Sequence, residues 1–211
     1  MAHKSSISQL RTNESHMEDV SSLQQSTMKS VRGVSEFSLL FSINSLDVTD
    51  LPHDPMHIIF EGVGKYHVID FLQVLLDGSE RTRTSIKEIN MRIGGFDYGP
   101  YKKRNKPLAI MGTILNDTAS LRWTSSMTST FIMFLPFILF DIVDIEHEYF
   151  GFFNLLRKIV QIISSRRITD GMIAMLKECV DKYCTIYTNS ETLSNVPKIH
   201  YLKHLPDQIK R

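Results

Sequence analysis

Apolar residues recur at helical spacing through most of the chain, and the pattern is clearest between Pro55 and Leu76. Its apolar positions gather on one side of a helix with 3.6 residues per turn, which is the pattern of a helix with one broad buried face. These positions are Ile58, Ile59, Val63, Tyr66, Phe71, Leu72 and Leu75. Asp54 and Pro55 come just before them and are typical of a helix start, because aspartate caps well and proline is tolerated in the first turn. We therefore predict the first long helix over residues 55–76.

The same periodicity predicts more helices downstream, interrupted by glycine, proline and polar residues. They are expected over residues 85–93, 116–144 with a kink at Pro136, 147–166, 169–187 and a short segment from Pro197. Phe131–Phe140 is the longest apolar run, and it is too short for a membrane crossing, which needs about 20 residues. We interpret it as part of a buried helix, and no membrane partner is expected.

The first third of the chain has a weaker pattern. Residues 1–35 are rich in serine, glutamine and threonine; a weak apolar stripe over Glu14–Met28 allows a helix, although we favour a mobile polar leader. Residues 37–48 mix aromatic and aliphatic residues with partial alternation, which indicates a short strand or extended segment. The fold class predicted from these patterns is mainly α, with at most one or two short strands near residues 37–48.

Composition and net charge limit the kinds of function that this chain is expected to have. Hydrophobic residues make up 42% of the chain and charged residues 22%, which is ordinary for a folded protein. The net charge is only +1, so contact with nucleic acid needs a local basic patch. One such patch is the loop of Lys102, Lys103, Arg104 and Lys106. It would neutralise phosphates and serve as a nuclear import signal, or it is simply a solvated loop.

The cysteines and the N-terminus both indicate an intracellular protein. The first ten residues contain no apolar segment of the kind found in secretory signals. Cys179 and Cys184 build neither a disulfide framework nor a zinc pattern, and we interpret Cys179 as a core residue. A reducing intracellular compartment is therefore expected.

Two polar clusters have residue types and spacings that are found in metal-binding sites. Asp54, His57 and Glu61 lie at a helix entrance, with His57 and Glu61 one turn apart on the same face. They would bind a divalent cation or stand beside one. Alternatively, Asp54 only caps the helix, His57 makes a satisfied polar contact and Glu61 is solvated. His200 and His204 place two imidazoles on one helix face, but two ligands alone do not define a metal site. The weak candidates for metal ligands are therefore Asp54, His57, His200 and His204.

Five ordered segments resemble DNA transposases of the CACTA (En/Spm-like) group, in the diverged form of animal and fungal genomes. They are L-R-T-N-E-S-H at 10–16, L-D-V-T-D-L-P-H-D-P-M-H-I-I-F-E-G-V at 46–63, F-D-Y-G at 96–99, N-K-P at 105–107 and P-K-I-H-Y-L-K-H-L-P at 197–206. The most specific part is D-x-M-H-x-x-x-E-G-V, and the resemblance covers nearly the whole chain from Leu10.

This resemblance implies an RNase H-like enzyme with a D-D-E triad that holds two Mg²⁺ or Mn²⁺ ions. Asp54 and His57 match the family's D-x-x-H motif. Residues 36–54 would then form the edge of the catalytic core, and residues 55–211 its helical insertion domain. No residue here is assigned to the first two catalytic aspartates, and the final glutamate is expected beyond Pro206. We therefore expect a fragment or domesticated remnant that holds no metal cofactor in this chain and does not cut DNA alone.

Three functional hypotheses follow. The leading one is a nuclear, transposase-derived protein that binds DNA, a full-length transposase or a second copy of itself. The alternative is a non-catalytic helical module that binds other proteins. A third hypothesis is an independent metallohydrolase that uses Asp54, His57 and Glu61, although a complete ligand set is not visible in the sequence.

Overall fold

The computed structural model describes residues 12–43, 46–48, 54–77, 84–99, 103–116, 120–143, 146–190 and 198–209. These residues are mainly helical and contain no strand, which confirms the mainly α prediction at the level of fold class. The chain separates into two compact units, Met1–His53 and Asp54–Arg211.

The first unit contains helix α1 (Asn13–Gln24), where the sequence allowed only a weak helix. Thr12 starts it with a capping box: the Thr12 hydroxyl accepts from the backbone N–H of Ser15, and the Ser15 hydroxyl accepts from that of Thr12. Inside the unit, Arg32 donates to the buried carboxylate of Asp19 at 2.6 Å. A capping box and an ion pair with a buried carboxylate therefore stabilise a helix whose apolar stripe is poor.

The strand expected near residues 37–48 is not found in the described part of that segment, where Leu39–Ser42 forms a 3₁₀ helix. The Ser38 hydroxyl caps it by accepting from the backbone N–H of Leu40. Further along, the side chain of Asn13 donates to Asp47 and accepts from the N–H of Val48. The side chains of Ser38 and Asn13 thus accept from the backbone N–H groups of Leu40 and Val48, which a strand would pair with a neighbour, so the strand prediction is wrong here.

The second unit is built from helices and shorter helical turns. They are a π-helical segment (Met56–Val63), α2 (Gly64–Leu76), α3 (Ile86–Gly95), 3₁₀ turns at Lys103–Asn105 and Gly112–Leu115, α4 (Ser125–Ile138), α5 (Glu148–Ile163), α6 (Asp170–Asn189), α7 (Ile199–Leu202) and α8 (Leu205–Ile209). Helix α5 packs along α6, while α2 contacts α4 and α5. Their inward side chains, among them Leu72, Phe131, Phe153, Leu156 and Tyr183, are fully buried and form one core.

Helix α4 is shorter than predicted at both ends. It begins at Ser125 behind a Thr124 cap, because the preceding residues are extended and bury Leu121 and Trp123. The indole of Trp123 donates to the carbonyl of Leu108 at 2.9 Å, which holds this segment outside the helix. The helix ends at Ile138, two residues beyond Pro136, and not near residue 144.

The apolar run 131–140 is largely buried, as predicted: Phe131, Ile132, Leu135, Ile138 and Leu139 all point into the core. Phe137 and Phe140 are instead exposed by 59% and 70%. Within the described ranges, every helix is too short or too polar to cross a bilayer.

Candidate functional site

Asp54 stands at the start of the first helix of the second unit, and its carboxylate has two partners there. One oxygen accepts from the backbone N–H of Met56 at 2.8 Å, as a capping side chain does. The other lies 2.6 Å from Nδ1 of His57. The His57 ring, followed by the Met56 N–H, holds the pKa of the Asp54 carboxyl below its usual value. Asp54 is therefore both a cap and a member of the cluster.

His57 links two carboxylates along the outer face of the π-helical segment. Beyond the Asp54 contact, its Nε2 lies 3.6 Å from Oε2 of Glu61, as the one-turn spacing predicts. Glu61 in turn accepts from the hydroxyl of Ser125 at 2.6 Å, at the start of α4. The side chains of Asp54, His57 and Glu61 are 53%, 57% and 44% exposed, so the row is open to solvent.

Lys198 reaches this segment from the other end of the chain. Its ammonium donates to the carbonyl of His57 at 2.9 Å, and its aliphatic stem passes directly over Gly62. A Cβ at position 62 would lie 2.5 Å from Cδ of Lys198, so only glycine leaves room for this approach. A side chain that binds a helical carbonyl is a known cause of local departure from α-helical geometry, which here is a π-helical turn.

The Asp54 cluster does not fit the metal centre that the transposase resemblance implies. A two-metal-ion site needs several carboxylates converging on ions about 4 Å apart. Here the imidazole of His57 stands between the two carboxylates, so Asp54 and Glu61 approach different ring nitrogens. Nor does any group of three His, Cys, Asp or Glu side chains in the described ranges come together as metal ligands would.

His200 and His204 form a separate pair in the last helical segments. Their Nε2 atoms are 3.3 Å apart, and the two rings meet nearly edge to face at an interplanar angle of 76°. The neighbours Ile199, Leu202 and Leu205 are buried and anchor the segment to the core, while both histidines stay half-buried. The helical spacing predicted for this pair is therefore realised as a direct contact.

The basic loop offers a smaller charged patch than its sequence predicts. The ammonium of Lys106 donates to the carbonyl of Gly94 in the last turn of α3, so this cation has a structural role. Arg104 is exposed. Lys102 and the side chain of Lys103 lie outside the described residues. Of the four predicted nucleic-acid contacts, Arg104 is thus the side chain described as facing solvent.

One buried polar contact was not singled out in the sequence. His67 on α2 is fully buried, and its Nδ1 lies 2.8 Å from the hydroxyl of Tyr183 on α6. The rings of Tyr149, Phe152 and Phe153 on α5 surround the imidazole. Burial lowers the pKa of His67 to about 3, so the ring is neutral in the folded protein. His67 lies among apolar positions, which is the only sequence signal for this contact.

No protein-family model, curated protein or solved structure matches this chain.

Proposed function

We propose that this protein is derived from a CACTA-like transposase and corresponds to the helical region beside an RNase H-like core. It acts in the nucleus by binding DNA, without cutting it on its own. The observation that supports this origin is the contact of Lys198 with His57 and Gly62. That contact joins D-x-M-H-x-x-x-E-G-V to P-K-I-H, two of the segments on which the resemblance rests and which lie far apart in sequence.

The proposed DNA contact centres on the loop around Arg104. Its exposed guanidinium suits phosphate oxygens, which it binds through two parallel hydrogen bonds. Because the net charge of the chain is only +1, binding should be moderate. Because it depends on contacts between cations and phosphates, binding should weaken as salt is added. Lys106 contributes less, since it is engaged with the end of α3.

The test is fluorescence anisotropy of a labelled DNA duplex, titrated from about 50 to 200 mM salt. A variant with Lys102, Lys103 and Arg104 changed to alanine should bind more weakly and lose about 2–3 units from the slope of log K against log salt, at about 0.9 per phosphate contact. The matched control changes three exposed cations elsewhere, Lys87, Arg166 and Arg167, and removes the same charge. Equal losses of affinity in both variants, or no binding by the wild type at low salt, would refute the loop as the DNA contact.

Catalysis is tested separately with supercoiled plasmid and Mg²⁺ or Mn²⁺. We expect no nicking and no strand transfer, because the Asp54 cluster does not assemble a two-metal centre. Metal-dependent cleavage that Asp54→Ala abolishes would contradict this proposal and favour the metallohydrolase hypothesis.

The second candidate function is a module that binds another protein, for example a transposase, through the end of α4. Phe137 and Phe140 are large and exposed there, and the guanidinium of Arg157 lies 5.9 Å from the centre of the Phe137 ring. Aromatic and arginine side chains are common anchors of protein interfaces. The test is sedimentation at several protein concentrations. Association that Phe137→Ser and Phe140→Ser abolish, in a protein that does not bind DNA, would favour protein binding or self-association over DNA binding.

A further inference from the structure

Two buried polar atoms in the second unit have no hydrogen-bond partner among the described residues. They are Nε2 of His67 on α2 and the hydroxyl oxygen of Tyr149 on α5. The two rings are neighbours, with centroids 5.6 Å apart and planes at 87° to each other. Nearly all buried polar atoms in folded proteins are paired, because an unpaired atom loses its bonds to water and gains none in return. These two atoms therefore point to a molecule that binds both.

The protein neighbours of the His67 imidazole do not supply the missing partner. Phe152 and Phe153 pack against the ring and carry no side-chain donor or acceptor. The Tyr183 hydroxyl lies 2.8 Å from Nδ1, the other ring nitrogen. Among the described rings that contact His67, Tyr149 is the one that keeps an unused polar atom, and this atom does not bond to Nε2 directly. A bridge between Nε2 and the Tyr149 hydroxyl would satisfy both atoms at once.

The chemistry of these two atoms determines what the bridging molecule is. Because buried His67 is neutral, Nε2 is a donor in one tautomer and an acceptor in the other. Burial and then the nearby charge of Asp70 raise the pKa of the Tyr149 hydroxyl, which therefore stays protonated and can both donate and accept. Water matches either tautomer of His67, whereas an ion would lose its hydration among the surrounding aromatic rings. We propose that one water molecule is bound between Nε2 of His67 and the hydroxyl of Tyr149, independently of the proposed function.

The proposed water joins three helices through one side chain. His67 on α2 contacts α6 directly through Tyr183, and the water extends the contact to Tyr149 in the first turn of α5. Buried waters that bond to several polar atoms are costly to remove. Polar contacts therefore add to the apolar packing that holds these three helices together.

Removing the Tyr149 hydroxyl tests the proposal through the sign of its effect on stability. A hydroxyl bonded to water stabilises the fold, so Tyr149→Phe should lower the melting temperature by about 1–6 °C, the range for one hydrogen bond in a protein of this size. Removing an unpaired hydroxyl would instead raise the melting temperature or leave it unchanged, and either result would overturn the proposal. Fluorescence of Trp123, the single tryptophan, follows the melting. Tyr98→Phe is the matched control, because the buried Tyr98 hydroxyl donates to the carbonyl of Ile93 at 3.1 Å, and it should also lower the melting temperature.

Two further measurements identify the partner of the Tyr149 hydroxyl. In a His67→Phe background, which keeps a ring at this position, Tyr149→Phe should have a smaller effect because the water has already lost one partner. An equal shift in both backgrounds would assign the hydroxyl to another group and overturn the proposal. A crystal structure of the wild type should show one ordered water within about 2.5–3.2 Å of both atoms. A structure that shows no water there, or a water that bonds to one atom alone, would also overturn it.

Discussion

Replacing Gly62 with alanine tests the contact that joins the two ends of the second unit. The added Cβ would lie 2.5 Å from Cδ of Lys198 and 3.0 Å from the carbonyl oxygen of His57. The first contact is relieved only if the lysine stem shifts, which weakens its bond to the His57 carbonyl. The second contact is with a backbone oxygen, which cannot move freely. Both effects destabilise the folded state.

The size of the effect follows from these two contacts. Forcing one extra methyl group into a packed position costs about 1–3 kcal/mol. For a protein of 150–250 residues, one kcal/mol corresponds to about 2–4 °C in melting temperature, so Gly62→Ala should lower it by about 2–12 °C. Lys198→Ala removes one half-exposed hydrogen bond and should cost about 0.5–1.5 kcal/mol.

The assay is urea unfolding followed by Trp123 fluorescence, with both single variants and the double variant. Because the closest clash is with the Lys198 side chain, Gly62→Ala should cost less when residue 198 is already alanine. A coupling free energy of about 1 kcal/mol is expected from residues in contact. The destabilisation by Gly62→Ala that remains when residue 198 is alanine measures the effect of the contact between the added Cβ and the His57 carbonyl.

Gly151→Ala is the matched control, because Gly151 lies in α5 and a Cβ added there would meet nothing within 4 Å. Alanine at this position should stabilise the helix by about 0.5–1 kcal/mol. The reasoning fails if Gly62→Ala is as well tolerated as Gly151→Ala, or if its cost is the same with and without Lys198.

Two other predictions concern charge. Burial lowers the pKa of His67 to about 3, against about 6.5 when unfolded, so the unfolded chain takes up a proton that the folded chain does not. The free energy of unfolding is therefore highest above pH 6.5 and falls as the pH drops toward 3, by about 2 kcal/mol at pH 5. In urea unfolding, His67→Asn should lack this pH dependence. An unchanged pH profile in the variant would refute the lowered pKa of His67. Arg92 on α3 donates to Asp141 and to Glu88, and the Arg92 hydrogen bond is the main cause of the lowered pKa of Asp141. Asp141→Asn should therefore lower the melting temperature and make it less sensitive to added NaCl, whereas equal salt sensitivity in both proteins would contradict this pairing.

The helical periodicity alone predicted most of the second unit. Helices α2, α3, α5 and α6 lie where apolar residues recur every three or four positions, and Ser85 and Thr169 cap two of them. The start of α4 was wrong because it depends on the bond from Trp123 to Leu108, a contact between segments that are distant in sequence. The 3₁₀ helix at Leu39–Ser42 was missed for a related reason, since capping by Ser38 outweighs a partly alternating pattern.

Spacing also predicted which candidate side chains meet, but not how they are held. His57 with Glu61 and His200 with His204 are each one turn apart, and both pairs are in contact or close to it. The Ser125 hydroxyl and the Lys198 ammonium could not be predicted, because each lies at the start of a helix that only the tertiary fold brings near. Whether any of these residues binds DNA or metal stays a prediction.

The bond from Lys198 to His57 also bears on how the protein forms during synthesis. Its two residues are 141 positions apart. At about 5–20 residues per second, a ribosome adds the lysine about 7–28 s after the histidine. Until then the His57 carbonyl lacks this donor and Gly62 is not covered by the Lys198 stem. The first turns of the second unit are therefore synthesised early, but their last contact forms late. A nascent chain stalled before residue 198 should therefore be cleaved by protease near Gly62, while the finished protein resists cleavage there.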